Sequence, residues 1–112
     1  MDIVFVSGKL AKQCKSQRLL LQHHGAVRAK LIGQRLAELR AAQVLNDMRN
    51  VRRARCHELK GDHAGQLSVD LDHPYRLIFE AVDQEGNTIR SRALDWTKVT
   101  IIRILGVENT HD

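Results

Sequence analysis

The sequence predicts an α+β fold: an N-terminal strand, a two-helix hairpin, then a three- to four-stranded antiparallel sheet with the helices on one face. Three observations predict it. An apolar, β-branched run opens the chain at Ile3, Val4, Phe5 and Val6; apolar residues between positions 9 and 42 recur at helical spacing; and from residue 66 onward the period shortens to two. With 112 residues and 43% apolar content, the whole chain 1–112 reads as one domain around one core.

Each element follows from its residues. Ser7 and Gly8 end the opening strand, and Ser7 suits the N-cap of the helix that follows. From Lys9 to about His23, Leu10, Cys14 and the triplet Leu19 to Leu21 alternate with Lys12, Lys15 and Arg18, which predicts a helix with a basic outer face. Gly25 breaks it. Val27, Leu31, Leu36 and Leu39 then predict a second helix from about Ala26 to Ala42, with Arg28, Lys30, Arg35 and Arg40 projecting elsewhere. Val44 to Arg49 reads as one more helical turn before a polar stretch. Leu67, Val69 and Leu71 alternate with polar neighbours, as do Tyr75, Leu77 and Phe79; with the turn Asp72, His73, Pro74 between them, these two runs form a β-hairpin. A further turn at Asp83 to Asn87 precedes a last strand over Val99 to Val107, interrupted on one face by Arg103. Trp96 reads as a packing residue at the edge of the core.

Charge is distributed unevenly. Residues 1–60 hold 13 Lys or Arg against four acids, a balance of +9, and the remainder balances at −4. A concentrated basic half suits a polyanion, whose condensed counterions are released on binding, and equally an acidic protein surface; a solvated basic helix face is the bland explanation. Cys14 and Cys56 form no CxxC pair and read as reduced structural residues. The N-terminus MDIVFVSGK has neither the basic start nor the cleavage site of a signal peptide, and no apolar run is long enough to span a bilayer. A soluble, cytoplasmic protein without a membrane partner is expected.

The residues that suggest chemistry concentrate between Arg55 and Phe79. His57, Lys60, Asp62, His63, Asp72, His73 and Arg76 crowd the turns of strand-like runs, where Asn, Ser and Gly are the usual occupants. Such a cluster beside a sheet suits a phosphate. A metal site from Cys56, His57, His63 and His73 lacks ligand spacing, and adjacent strand residues point to opposite faces, so no metal or other cofactor is expected.

The segment HELKGDHAGQLSVDLDHPYRLIF, starting at His57, resembles the RelE/ParE superfamily of bacterial toxins, in particular its HigB branch, the plasmid-maintenance killer proteins of type II toxin-antitoxin systems. The resemblance covers most of the chain. It includes the helix ending LAELRAA, the L-x-G-x-x-x-G pattern at Leu59, Gly61 and Gly65, the pair Ser68 and Val69, the pair Tyr75 and Arg76, and a histidine near the C-terminus, His111. It implies a RelE-like fold and a small endoribonuclease that cleaves mRNA in the ribosomal A site, beside ribosomal RNA. It further implies control by a helix-turn-helix HigA-like antitoxin, with a higher-order complex on operator DNA.

Cleaving RNA through its own 2′-hydroxyl needs a base, cations around the pentavalent phosphate, and an acid for the departing 5′-oxygen. Histidine suits both proton roles near neutral pH. By resemblance the catalytic set is His57, His111 and Arg76, with Arg76 on the scissile phosphate, where a planar guanidinium makes bidentate contacts that an ammonium cannot. Lys60, His73, Tyr75 and Asn109 are the expected RNA contacts. His63 and His73 also read as solvated turn residues, and Tyr75 alternates with core positions. Where relatives read Asp-Tyr-His, this chain reads Asn109, Thr110, His111, which removes a carboxylate and a phenol. Two other readings stay open: a ParE-like toxin that poisons DNA gyrase without using histidines, and a weakened homologue acting mainly through antitoxin binding.

Overall fold

The protein is described by a computed structural model covering residues 1–110. Strand β1 is Asp2–Phe5, helix α1 Gly8–Cys14 and helix α2 Gln17–Ala41; strands β2, β3, β4 and β5 are His57–Glu58, Gln66–Asp70, Tyr75–Ala81 and Ile101–Asn109. The class is α+β. Ser7 caps α1 by accepting from the Leu10 N–H at 3.1 Å.

The helical hairpin bends earlier than the expected boundary at Gly25. Ser16 accepts from the Leu19 N–H at 3.2 Å and starts a second helix there, because a capping hydroxyl satisfies donors that would otherwise be orphaned. Gly25 then kinks α2 with a φ of 78°, open to glycine at no steric cost. Past the kink, Ala29, Ile32, Leu36 and Leu39 are fully buried while Val27 is 68% exposed, so the core stripe starts two residues later than the apolar pattern suggested.

The sheet has five strands in the order β1-β5-β4-β3-β2: β2 to β5 are the antiparallel strands expected, four in number, and β1 joins them and makes the sheet mixed. β1 runs parallel to β5, with Asp2 opposite Ile101 and Phe5 opposite Ile104. Parallel neighbours need a long crossover, and here it comprises every element between the first strand and the last. The remaining pairs are antiparallel, and β3 and β4 form the expected hairpin. The last strand begins and ends two residues later than the apolar run Val99 to Val107 implied.

Leu67, Val69, Leu77, Phe79, Ile102 and Ile104 share one core cluster with the buried residues of α2, so the helices cover one face of the sheet. Trp96 packs against this cluster, and the Arg49 guanidinium lies 4.1 Å above its ring. Alternation sends Ser68, Asp70, Arg76, Glu80, Arg103 and Val4 to the other face. A bulge in β5 matters to this second face. Gly106 stands opposite Ile78 but Ile104 stands opposite Phe79, so Leu105 is the extra residue, and Gly106 takes a φ of 151°. The slip exchanges the faces of β5 beyond the bulge: Val107 pairs with core residue Leu77, and Glu108 comes beside Arg76.

Two arginines fasten α2 to the sheet. Arg28 donates to both carboxylate oxygens of Asp72 at 2.9 Å and lies 3.5 Å above the Tyr75 ring, clamping the hairpin turn. The Asp72 carboxyl is held below its usual range chiefly by this hydrogen bond. Arg35, 5% exposed, donates to the carbonyls of Asp70 and Arg53 and to Glu38, which ties the end of β3 to the segment entering β2. Arg35→Met should lower stability by about 2 kcal/mol in urea unfolding, since both carbonyls lose their charged donor while the stem packing survives. No helix among the described residues is long and apolar enough to cross a membrane.

Candidate functional site

A cleft of about 630 Å³ opens where β2 and its following turn meet the ends of β4 and β5. Its lining includes His57, Lys60, His63, Arg76, Glu108 and Asn109. Sequence positions 57, 60, 76 and 109, each a candidate from the resemblance, therefore share one cavity. Local structure explains how. Gly61 and Gly65 adopt φ values of 67° and 90°, which lets the 3₁₀ turn Gly61–His63 fold tightly between β2 and β3 and carry Lys60 to the rim.

Register places the principal pair. His57 faces Ser68, and Ser68 faces Ile78; Arg76 lies two residues before Ile78 and projects from the same side of the sheet. With strands about 4.8 Å apart and about 3.3 Å per residue, the two Cα atoms are roughly 12 Å apart, close enough for both side chains to reach one nucleotide.

The state of each group can be read from its partners. His57 Nδ1 lies 2.8 Å from the carbonyl oxygen of Arg55, which can only accept, so Nδ1 carries the proton and Nε2 of the neutral ring carries the lone pair. Arg55 presents that carbonyl from a left-handed conformation with φ 45°, which is costly for a residue with a Cβ. Arg76 Nε is 3.3 Å from Asp70 Oδ1, and Arg55 Nε is 3.6 Å from Oδ2 of the same carboxylate. The Arg76 pair is an ion pair without hydrogen-bond alignment, since Oδ1 has no hydrogen-bond partner among the described residues. Neither terminal nitrogen of Arg76 has a hydrogen-bond partner among those residues, a fork available to a phosphate.

Other expected contacts lie elsewhere. Tyr75 projects from the helix-covered face with Arg28 over its ring, and His73 is exposed in the turn, so neither lines the cleft. His111 lies outside the described residues. Thr110 is at the cleft edge, where its N–H and hydroxyl both donate to the Pro74 carbonyl. Asp70 and Glu108, which flank Arg76 on the neighbouring strands, were not singled out. Counting back from the hairpin turn would have found Asp70, because Leu71 bonds Tyr75 and the next pair outward is Asp70 with Arg76. Glu108 depends on the β5 bulge, which leaves only a glycine as its sign.

Cys56, the residue before His57, is a free thiol packed partly against the core, and burial pushes its pKa up to about 12. It should resist iodoacetamide at about pH 8 in the folded state and react once unfolded. An unfolded thiol ionises near pH 8.5 while this one stays protonated, so its contribution to stability is complete below that pH. The contribution is lost as pH rises from there toward about 12, which urea titrations on the alkaline side can follow. Among the described residues no group of three or more His, Cys, Asp or Glu is placed to hold a metal ion. The chain matches no protein-family model and no curated protein.

Proposed function

We propose that the protein is a RelE-like toxin of a type II toxin-antitoxin system, an endoribonuclease that cleaves mRNA in the ribosomal A site and is restrained by a HigA-like helix-turn-helix antitoxin. The observation that carries this reading is the gathering of His57, Lys60, Arg76 and Asn109, drawn from β2, the following turn, β4 and β5, around one cleft.

In the proposed reaction, His57 Nε2 takes the proton of the 2′-hydroxyl as the 2′-oxygen attacks phosphorus. Charge on the pentavalent phosphate is met by the free fork of Arg76 and the ammonium of Lys60. The bond to the 5′-oxygen breaks as His111 supplies its proton, leaving a 2′,3′-cyclic phosphate and a 5′-hydroxyl. Asn109, opposite Tyr75 at the cleft edge, has no acid-base capacity, so its role in the proposed reaction is confined to lining the cleft.

Inducing the chain in bacteria tests the reading. Growth should stop with truncated messages accumulating. Double-strand DNA breaks with intact mRNA would instead assign the fold to gyrase poisoning, and antitoxin binding without arrest would assign it to a homologue that has lost its activity.

A further inference from the structure

A second cleft, of about 1090 Å³, lies on the other side of the turn that walls the first. Its lining includes Gly65, Gln66, Arg90, Ser91 and Arg92. Two hydrogen bonds cross the ridge between the clefts: His63 with Gln66 at 3.2 Å, and the Ser91 hydroxyl donating to Glu58. The clefts thus share one wall.

The charges in the second cleft are unequally engaged. Glu80 accepts from Arg103 at 2.9 Å, and Asp83 accepts from the N–H groups of Glu85 and Asn87 at 3.0 and 2.8 Å. Arg90 and Arg92 are exposed, and among the described residues neither has a carboxylate within salt-bridge distance. Two unengaged guanidiniums therefore stand in the acidic half of the chain, next to a cleft whose own cations are Lys60 and Arg76.

We infer that the second cleft is an extension of the RNA site, in which Arg90 and Arg92 hold backbone phosphates of a single strand that crosses the ridge at Gly61 to Gly65. The inference rests on the ribonuclease reading, because it takes the first cleft to hold the scissile phosphate. A strand leaving that cleft over the turn meets the two arginines next. Its bases are not read there: guanidinium contacts to phosphates position a strand without selecting its sequence. The substrate class is thus single-stranded RNA several nucleotides longer than the cleaved step, within the span of about 4–16 nucleotides usual for single-strand sites.

Binding of non-cleavable 2′-O-methyl oligonucleotides of about four and about twelve nucleotides, titrated over salt, tests the inference. Wild type should bind the longer strand more tightly. Combined Arg90→Gln and Arg92→Gln replacement should remove that advantage and reduce the slope of log affinity against log salt by about 1.4, at about 0.7 per phosphate, leaving the short strand's affinity unchanged. An unchanged slope on the long strand, in a variant whose melting matches wild type, overturns the extension while leaving the ribonuclease reading intact. Loss on both strands alike, or capture of an acidic peptide in preference to RNA, also overturns it. If wild type binds neither strand the extension falls, and RNA-end mapping after induction decides the fate of the ribonuclease reading separately.

Discussion

Replacing His57 with alanine is expected to lower mRNA cleavage by about 10²–10⁴-fold, the range over which a positioned general base usually acts. The Arg55 carbonyl holds the Nδ1 proton, so the basic nitrogen Nε2 is the one left for a substrate. His57→Asn would keep a side-chain donor near Nδ1 but provide no base, and it should be as inactive as alanine. His57 is only half-buried in a two-residue edge strand, so the melting temperature should barely move. Cleavage measured against folding in one preparation separates the two roles: a base loses activity alone, whereas a structural histidine would lose both. Undiminished cleavage by the alanine variant would exclude His57 from the chemistry.

The second large effect is expected at Arg76. Arg76→Ala should lower cleavage by about 10²–10³-fold and relieve growth arrest, because charge building on the phosphate would lose a preorganised donor pair. Arg76→Lys should recover only a fraction, since an ammonium cannot reproduce two parallel N–H bonds. The ion pair with Asp70 makes a further distinction. Asp70 lies 3.3 Å from Nε, so it orients the guanidinium while competing with phosphate for its charge. Asp70→Asn should therefore strengthen RNA binding and weaken its dependence on orientation, seen as a lower KM with a lower kcat. Removal of Arg76 strands Asp70 only partly, because Arg55 remains 3.6 Å away, and the alanine variant should stay folded.

Much of this arrangement is legible in the chain because half-buried strands enforce a period of two. Residues 66–80 declare both strands of the hairpin, and with them the side on which Arg76 emerges. Gly61 and Gly65 stand out in the sequence only as part of a motif, and the structure shows why glycine is needed at both, since each takes a positive φ. What escapes has a physical reason in each case. The partner of β1 escapes because alternation of Ile3 and Phe5 with exposed Val4 and Val6 says which face is buried but not which strand lies alongside. The helix restart at Ser16 escapes because a capping serine inside a continuous polar-apolar pattern looks like any solvent-facing residue. The bulge at Leu105 escapes because beyond Arg103 the run to Val107 carries no polar side chain on either face, so that a one-residue slip there leaves only Gly106 as its sign. That slip nonetheless brings Glu108 beside Arg76 and sets Asn109 opposite Tyr75 at the cleft edge. Tyr75 carries two readings: an aromatic next to an arginine expected to meet phosphate suggests base stacking, while its alternation with Leu77 and Phe79 suggests the core, and the second holds, with its ring packed against the core under Arg28.

The antitoxin of the proposed system would enter the same electrostatic frame. The first 60 residues hold a balance of +9, and the exposed Lys9, Lys12, Lys15 and Arg18 of the helical hairpin give that surplus an outward face away from the cleft. Under the proposed function, an acidic stretch of antitoxin and the phosphates of ribosomal RNA would be drawn by the same charge, so binding of one should be weakened by the other and both should decline with salt.

The most direct test of the central claim is the chemistry of RNA ends formed when the wild-type chain is induced, compared with His57→Ala and Arg76→Ala. If an imidazole and a guanidinium straddle a single phosphodiester, wild-type cells will accumulate message fragments ending in 2′,3′-cyclic phosphates with matching 5′-hydroxyl ends, and both variants will lack them. Growth arrest with full-length messages, or fragments that persist in both variants, would contradict the claim.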